Sequence, residues 1–86
     1  MHSRRELLQD FGYENSIVFE NPDYDEAIVG IDTDGRIIYD YDLMTECLEH
    51  EGMSWEEAVD WIDYNTIRAL PYIGKGAPII MYRIEG

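Results

Sequence analysis

Apolar residues recur along the chain at two spacings, one helical and one extended. Leu7, Leu8 and Phe11 follow Ser3-Arg4-Arg5-Glu6, whose Ser and Glu stand at capping-box separation. They predict a short helix over about residues 4–11, stopped by Gly12. Ile17-Val18-Phe19 is a brief apolar run and a candidate strand, and Asn21-Pro22-Asp23 reads as a turn. Two β-rich runs follow, Ala27 to Ile31 and Arg36 to Tyr39, separated by Asp32-Thr33-Asp34-Gly35. Asp-Gly between such runs is a hairpin signal, because both residues tolerate positive φ. Gly30 marks a bulge or a close contact within the first run.

The spacing then changes. Asp40 is placed to cap a helix over about 41–51, with Leu43, Met44, Cys47 and Leu48 as its apolar stripe. Asp42, Glu46, Glu49 and Glu51 stay outside that stripe, and Gly52 ends the helix. Ser54-Trp55-Glu56-Glu57 is a second capping box, flanked by Met53 and Ala58 as a hydrophobic staple. The helix it opens, over about 55–69, places Trp55, Ala58, Val59 and Ile62 on one face and Glu56, Asp60 and Asp63 on another. Pro71 ends it at or before Leu70. A Gly-rich loop, 74–78, leads to a last strand over 79–84. The order predicts an α+β fold: a small antiparallel sheet, made of the hairpin and the C-terminal strand, with helices on one face. The expected core is Ile28, Ile37, Leu43, Cys47, Leu48, Val59, Ile62, Ile80 and at least one tryptophan.

Composition narrows the class. A chain of 86 residues makes one compact domain, 1–86. Its 45% hydrophobic and 13% aromatic content is too rich for a disordered acidic tail. No apolar run approaches the roughly 20 residues of a membrane span. The N-terminus lacks the apolar stretch of a signal peptide, and a lone cysteine, Cys47, suits a reducing cytoplasm. The net charge of −13 disfavours direct binding to nucleic acid or to an anionic membrane. Residues 6–67 hold 18 acids against one base, Arg36. Solubility alone can explain such a surface, but its self-repulsion costs stability.

Few residues suggest catalysis. His50 and His2 are the only imidazoles, and Cys47 falls on an apolar stripe, where a buried thiol is inert. Gly74-Lys75-Gly76 lacks the Ser or Thr of a phosphate-binding loop. Asp32-Thr33-Asp34-Gly35 lacks the third acid and distal Glu of a calcium loop. Glu46 and His50 stand four apart on one helix, a zinc-chelating separation without a third ligand. No metal or other cofactor is expected.

Acids interleaved with aromatics are the most distinctive pattern: Asp23-Tyr24-Asp25-Glu26, Tyr39-Asp40-Tyr41-Asp42 and Trp61-Ile62-Asp63-Tyr64. Tyrosines supply rigid area with a polar handle at interfaces, and they also fill small cores. Tyr24 and Tyr41, each flanked by acids, are expected at the surface. Glu56, Asp60 and Asp63 would rise about 6 Å and then about 4.5 Å along a helix. Strand phosphates in duplex DNA advance about 3.4 Å. Such a carboxylate row could occupy another protein's nucleic-acid groove, although any solvated helix face has the same pattern. The expected partner face is Glu56, Asp60, Asp63, Asp23, Tyr24, Asp25, Tyr41 and Asp42.

Three strings, 21–30, 34–41 and 62–72, resemble a family of small uncharacterised acidic proteins of Gram-positive gut bacteria, their phages and mobile elements. The resemblance spans about residues 19–82 and implies a mobile-element setting, in which small acidic inhibitors of host defence such as anti-CRISPR proteins occur. It assigns no site residues. The expectation is a non-enzymatic protein that docks on a basic, nucleic-acid-handling host protein. The alternatives are a small hydrolytic or metal-dependent enzyme using His50 with Glu46 and Glu49, and a structural or accessory homo-oligomer pairing through the C-terminal strand. A pocket of converging titratable groups would favour the enzyme, and a convex acidic face the binding protein.

Overall fold

The computed structural model describes residues 4–10, 12, 16–20 and 22–84. Helix α1 covers Arg4–Asp10. The capping-box serine, Ser3, lies outside the described residues. Ile17-Val18-Phe19 forms no strand; its path is set by side chains, with the Phe19 N–H donating to the Tyr39 hydroxyl at 3.0 Å. A single 3-10 turn, Asp25–Ala27, delivers the chain to β1, Ile28–Ile31.

Strands β1 and β2, Ile37–Asp40, form the expected hairpin. Its turn is built on Asp32. The Gly35 N–H donates to Asp32 O at 3.1 Å, and the Asp32 carboxylate accepts from the N–H groups of Asp34 (2.9 Å) and Arg36 (2.8 Å). Only Gly35 takes positive φ, at 80°; Asp34 does not. The ladder register shifts between Ile28 and Gly30, so the bulge falls where Gly30 marked it.

Asp40 ends β2 and caps α2, Tyr41–His50, its carboxylate accepting the Leu43 N–H at 3.2 Å. Gly52, at φ 106°, closes α2. There the Gly52 N–H reaches Glu49 O at 3.0 Å and the Met53 N–H reaches Leu48 O at 3.2 Å, a Schellman arrangement. Helix α3, Trp55–Trp61, opens with both reciprocal bonds of the Ser54–Glu57 capping box. Those bonds stabilise the ionised Glu57 carboxyl and hold it below its ordinary value.

The expected long second helix is broken. From Ile62 to Ile67 the backbone widens into a π-helix. The Asn65 side-chain amide donates to Trp61 O at 3.1 Å, the carbonyl that an α-helix would pair with the Asn65 N–H. Pro71 does not stop the helical path either. It stands in the first turn of α4, Leu70–Ile73, where its missing N–H costs nothing.

The sheet order is β1-β2-β3, with β3 covering Ile79–Met81. β3 runs parallel to β2, pairing Ile38 with Ile79 and Asp40 with Met81, so the sheet is mixed rather than antiparallel. The reason is the crossover. The helical stretch between β2 and β3 carries the chain back to the end where β2 began, and parallel neighbours need such a connection. The fold is α+β, as expected.

Ile28, Ile37, Leu48 and Ile62 are buried as expected, and Leu43, Cys47, Ile80 and Trp61 pack partly buried against them. Val59 is only half-buried, and Trp55 departs from its expected core face, 60% exposed in the first turn of α3. Three aromatics that were not expected there join the core. Phe19, Tyr24 and Tyr39 meet with ring centroids 4.8–6.3 Å apart. No described helix is long and apolar enough to cross a membrane.

Candidate binding face

The eight residues of the expected face separate into three environments. Tyr24 is a correction: it is 1% exposed, a core residue. Its hydroxyl bonds Thr66 Oγ1 at 3.0 Å inside the protein, and burial pushes its ionisation up. Its neighbour Asp23 is exposed while the ring is buried, so acidic neighbours do not report where the tyrosine ring goes. Asp25 is half-buried, its N–H facing Asp23 Oδ1 at a long 3.4 Å.

A second group gathers where α2 begins and α3 ends. Tyr41 donates its hydroxyl to Asp63 Oδ1 at 3.0 Å. Its ring lies 4.9 Å from that of Tyr82, tilted by 30°. Burial is the first cause that pushes the Tyr41 hydroxyl up to about 12; the bond to Asp63 and the negative field of Asp63 and Asp60 add to it. Tyr82 is raised as well, by burial and then by Asp63. Glu56 and Asp60 are exposed on α3, four residues apart, and Asp42 is exposed in the first turn of α2. Asp63 stands in the π-helix, so the even α-helical rise expected from Glu56 through Asp63 ends at Asp60.

Tyr82 went unnoticed in the sequence because its place depends on the register of β3. Beside it, Arg83 Nε donates to Asp40 Oδ2 at 2.5 Å, so the buried α2 cap carries an ion-pair partner. Arg68 lies over the Tyr64 ring, 4.9 Å from its centroid.

The third environment is at the far end of α2. Asp23 joins Glu26, Glu46 and Glu51 around a cleft of about 510 Å³ that also meets Arg4, Cys47 and His50. The four carboxylates do not activate the thiol. Burial first, then their negative field, pushes the Cys47 ionisation up, whereas a nucleophilic cysteine needs it down. Glu46, Glu49 and His50 line a shallower hollow of about 350 Å³. Among the described residues, no three His, Cys, Asp or Glu side chains converge to hold a metal ion.

Tyr41 supplies a direct titration test. Its pKa is raised, so the folded state keeps the neutral phenol while an unfolded tyrosine ionises near 10. Its contribution to stability is complete below pH 10 and falls as pH rises toward about 12. Ultraviolet titration of the wild type against Asp63→Asn should show the Tyr41 phenol moving down, and Tyr82 with it, since Asp63 raises both. A titration curve that is the same in both proteins would refute the bond.

No family model, curated protein or solved structure matches this chain.

Proposed function

We propose that the chain is a non-enzymatic binding protein that sets its helical layer against a basic partner, one that handles nucleic acid. One observation carries this reading. Residues 37–67 contain nine carboxylates and no Lys or Arg, and all nine except Asp40 are exposed. Such a field attracts cationic grooves and repels nucleic acid itself. The reading rests on the field, because the π-helix interrupts the regular row that strand-phosphate mimicry would use. Its concrete form is an anti-defence inhibitor carried by a phage or mobile element and acting in the cytoplasm. The family resemblance supports that form.

The test uses immobilised protein and a bacterial lysate. Captured proteins should be nucleic-acid binders, and a short DNA duplex should release them at constant ionic strength. Release by chloride alone at matched ionic strength would reduce the interaction to ion exchange.

The cleft at Cys47 and His50 favours a second reading, a small hydrolytic enzyme using His50 with Glu46. The same capture distinguishes the two. His50→Ala should leave duplex-releasable capture intact if the helical face does the work.

A further inference from the structure

Between the hairpin tip and the loop that precedes β3 lies a hollow of about 340 Å³, at the small end of the roughly 300–1,000 Å³ of small-molecule sites. Ser16, Ile17, Asp34, Gly35, Arg36 and Gly76 are among the residues that line it. Three contacts fix its walls. The Ser16 hydroxyl donates to Gly35 O at 2.8 Å and ties the 16–17 segment to the hairpin tip. Gly76 backs onto Ile17, where an added Cβ would stand 3.5 Å from Ile17 Cδ1. Arg36 Nε donates to Ala77 O at 2.8 Å, which holds the guanidinium beside Gly76.

That bond uses one N–H of the Arg36 fork, and the donors on its two Nη nitrogens bond to no described residue. Asp34 is exposed, and only its N–H is engaged, by the Asp32 carboxylate. Its own carboxylate accepts no hydrogen bond among the described residues. Arg36 and Asp34 line the same hollow, yet among the described residues neither forms an ion pair, with the other or with a third residue.

We infer that this hollow is a binding site for a small zwitterion, a free α-amino acid with an apolar side chain. The ligand's carboxylate takes the Nη fork of Arg36, whose parallel donors match two carboxylate oxygens. Its ammonium turns to Asp34, and its side chain lies on Ile17, which is 39% exposed. The charges choose this class. A simple anion meets the chain's net charge of −13 and Asp34 at the site itself. A simple cation meets Arg36. A zwitterion satisfies both unpaired groups and carries no net charge for the acidic surface to repel. Exposed Lys75, next to Gly76, strengthens the carboxylate end. None of these residues belongs to the proposed helical face.

Amide NMR titration of the full chain with free amino acids, one at a time, tests the inference. At least one apolar amino acid should shift the Gly35, Arg36 and Gly76 amides saturably, with a Kd at or below about 1 mM. Its deaminated and decarboxylated analogues should each bind at least about tenfold more weakly, since each leaves one charge of the site unmatched. Asp34→Asn removes a carboxylate that holds nothing in the fold, and should erase the difference between the amino acid and its deaminated analogue. Arg36→Gln should abolish binding of both, with circular dichroism to confirm its fold. No saturable shift with any amino acid at about 10 mM, shifts confined to other residues, or equal affinity of the wild type for an amino acid and its deaminated analogue overturns the proposal.

Discussion

Replacing Tyr24 with alanine should destabilise the protein by about 3–5 kcal/mol, the usual cost of deleting a fully buried aromatic side chain. Small domains have only about 5–15 kcal/mol in all, so the loss is a large fraction of the total. The ring contacts Phe19 at 5.7 Å and Tyr39 at 6.3 Å, and both contacts would be lost. Tyr24→Phe separates packing from hydrogen bonding. It keeps the ring and leaves the buried Thr66 hydroxyl without its partner, at a cost of about 1–3 kcal/mol. Equilibrium urea unfolding measures both. An alanine variant with the wild-type midpoint would mean that Tyr24 belongs to the surface after all, where its acidic neighbours suggest it should be.

Changing Glu56, Asp60 and Asp63 together to lysine should slow association with a captured basic partner by about tenfold or more at low salt. Six units of charge reverse on one edge of the helical face, and steering depends on that field. The difference should narrow as added salt screens it. Folding should survive, since all three side chains are exposed and exposed charges contribute little. Asp63→Lys does remove the acceptor of the Tyr41 hydroxyl, so Asp63→Asn is the proper companion. Tyr41→Ala should act on the other rate: losing a stacked aromatic raises dissociation more than it slows encounter. Binding kinetics at two salt concentrations read both effects. An unchanged on-rate in the triple variant would leave the acidic face as a solvated surface.

The local elements were legible because their causes are local. The Ser54–Glu57 box, the Asp40 cap, the Gly52 stop and the Asp32–Gly35 turn each act within about five residues, and all four form as their spacing demands. The candidate face was legible only as charge. Exposure of Asp42, Glu56, Asp60 and Asp63 follows from their positions on helix faces, whereas their company does not. Asp63 meets Tyr41 from 22 residues away, and Asp23 lies instead with Glu26, Glu46 and Glu51 at the opposite end of α2.

The sequence by itself determined where α2 and α3 start, where the hairpin turns and which layer bears the acid, because capping, turn geometry and periodicity are settled between near neighbours. Tertiary structure decided the rest. Whether β3 runs parallel depends on where three helical segments leave the chain, and a period of two residues is the same in either direction. Tyr24 turns inward because Thr66, 42 residues later, offers its hydroxyl a partner within an aromatic cluster. The π-helix places Thr66 there, and nothing within five residues of Tyr24 records it. A tyrosine flanked by acids can satisfy either solvent or core. Which of the two it meets is set by packing, where burying the ring outweighs the exposure its neighbours prefer.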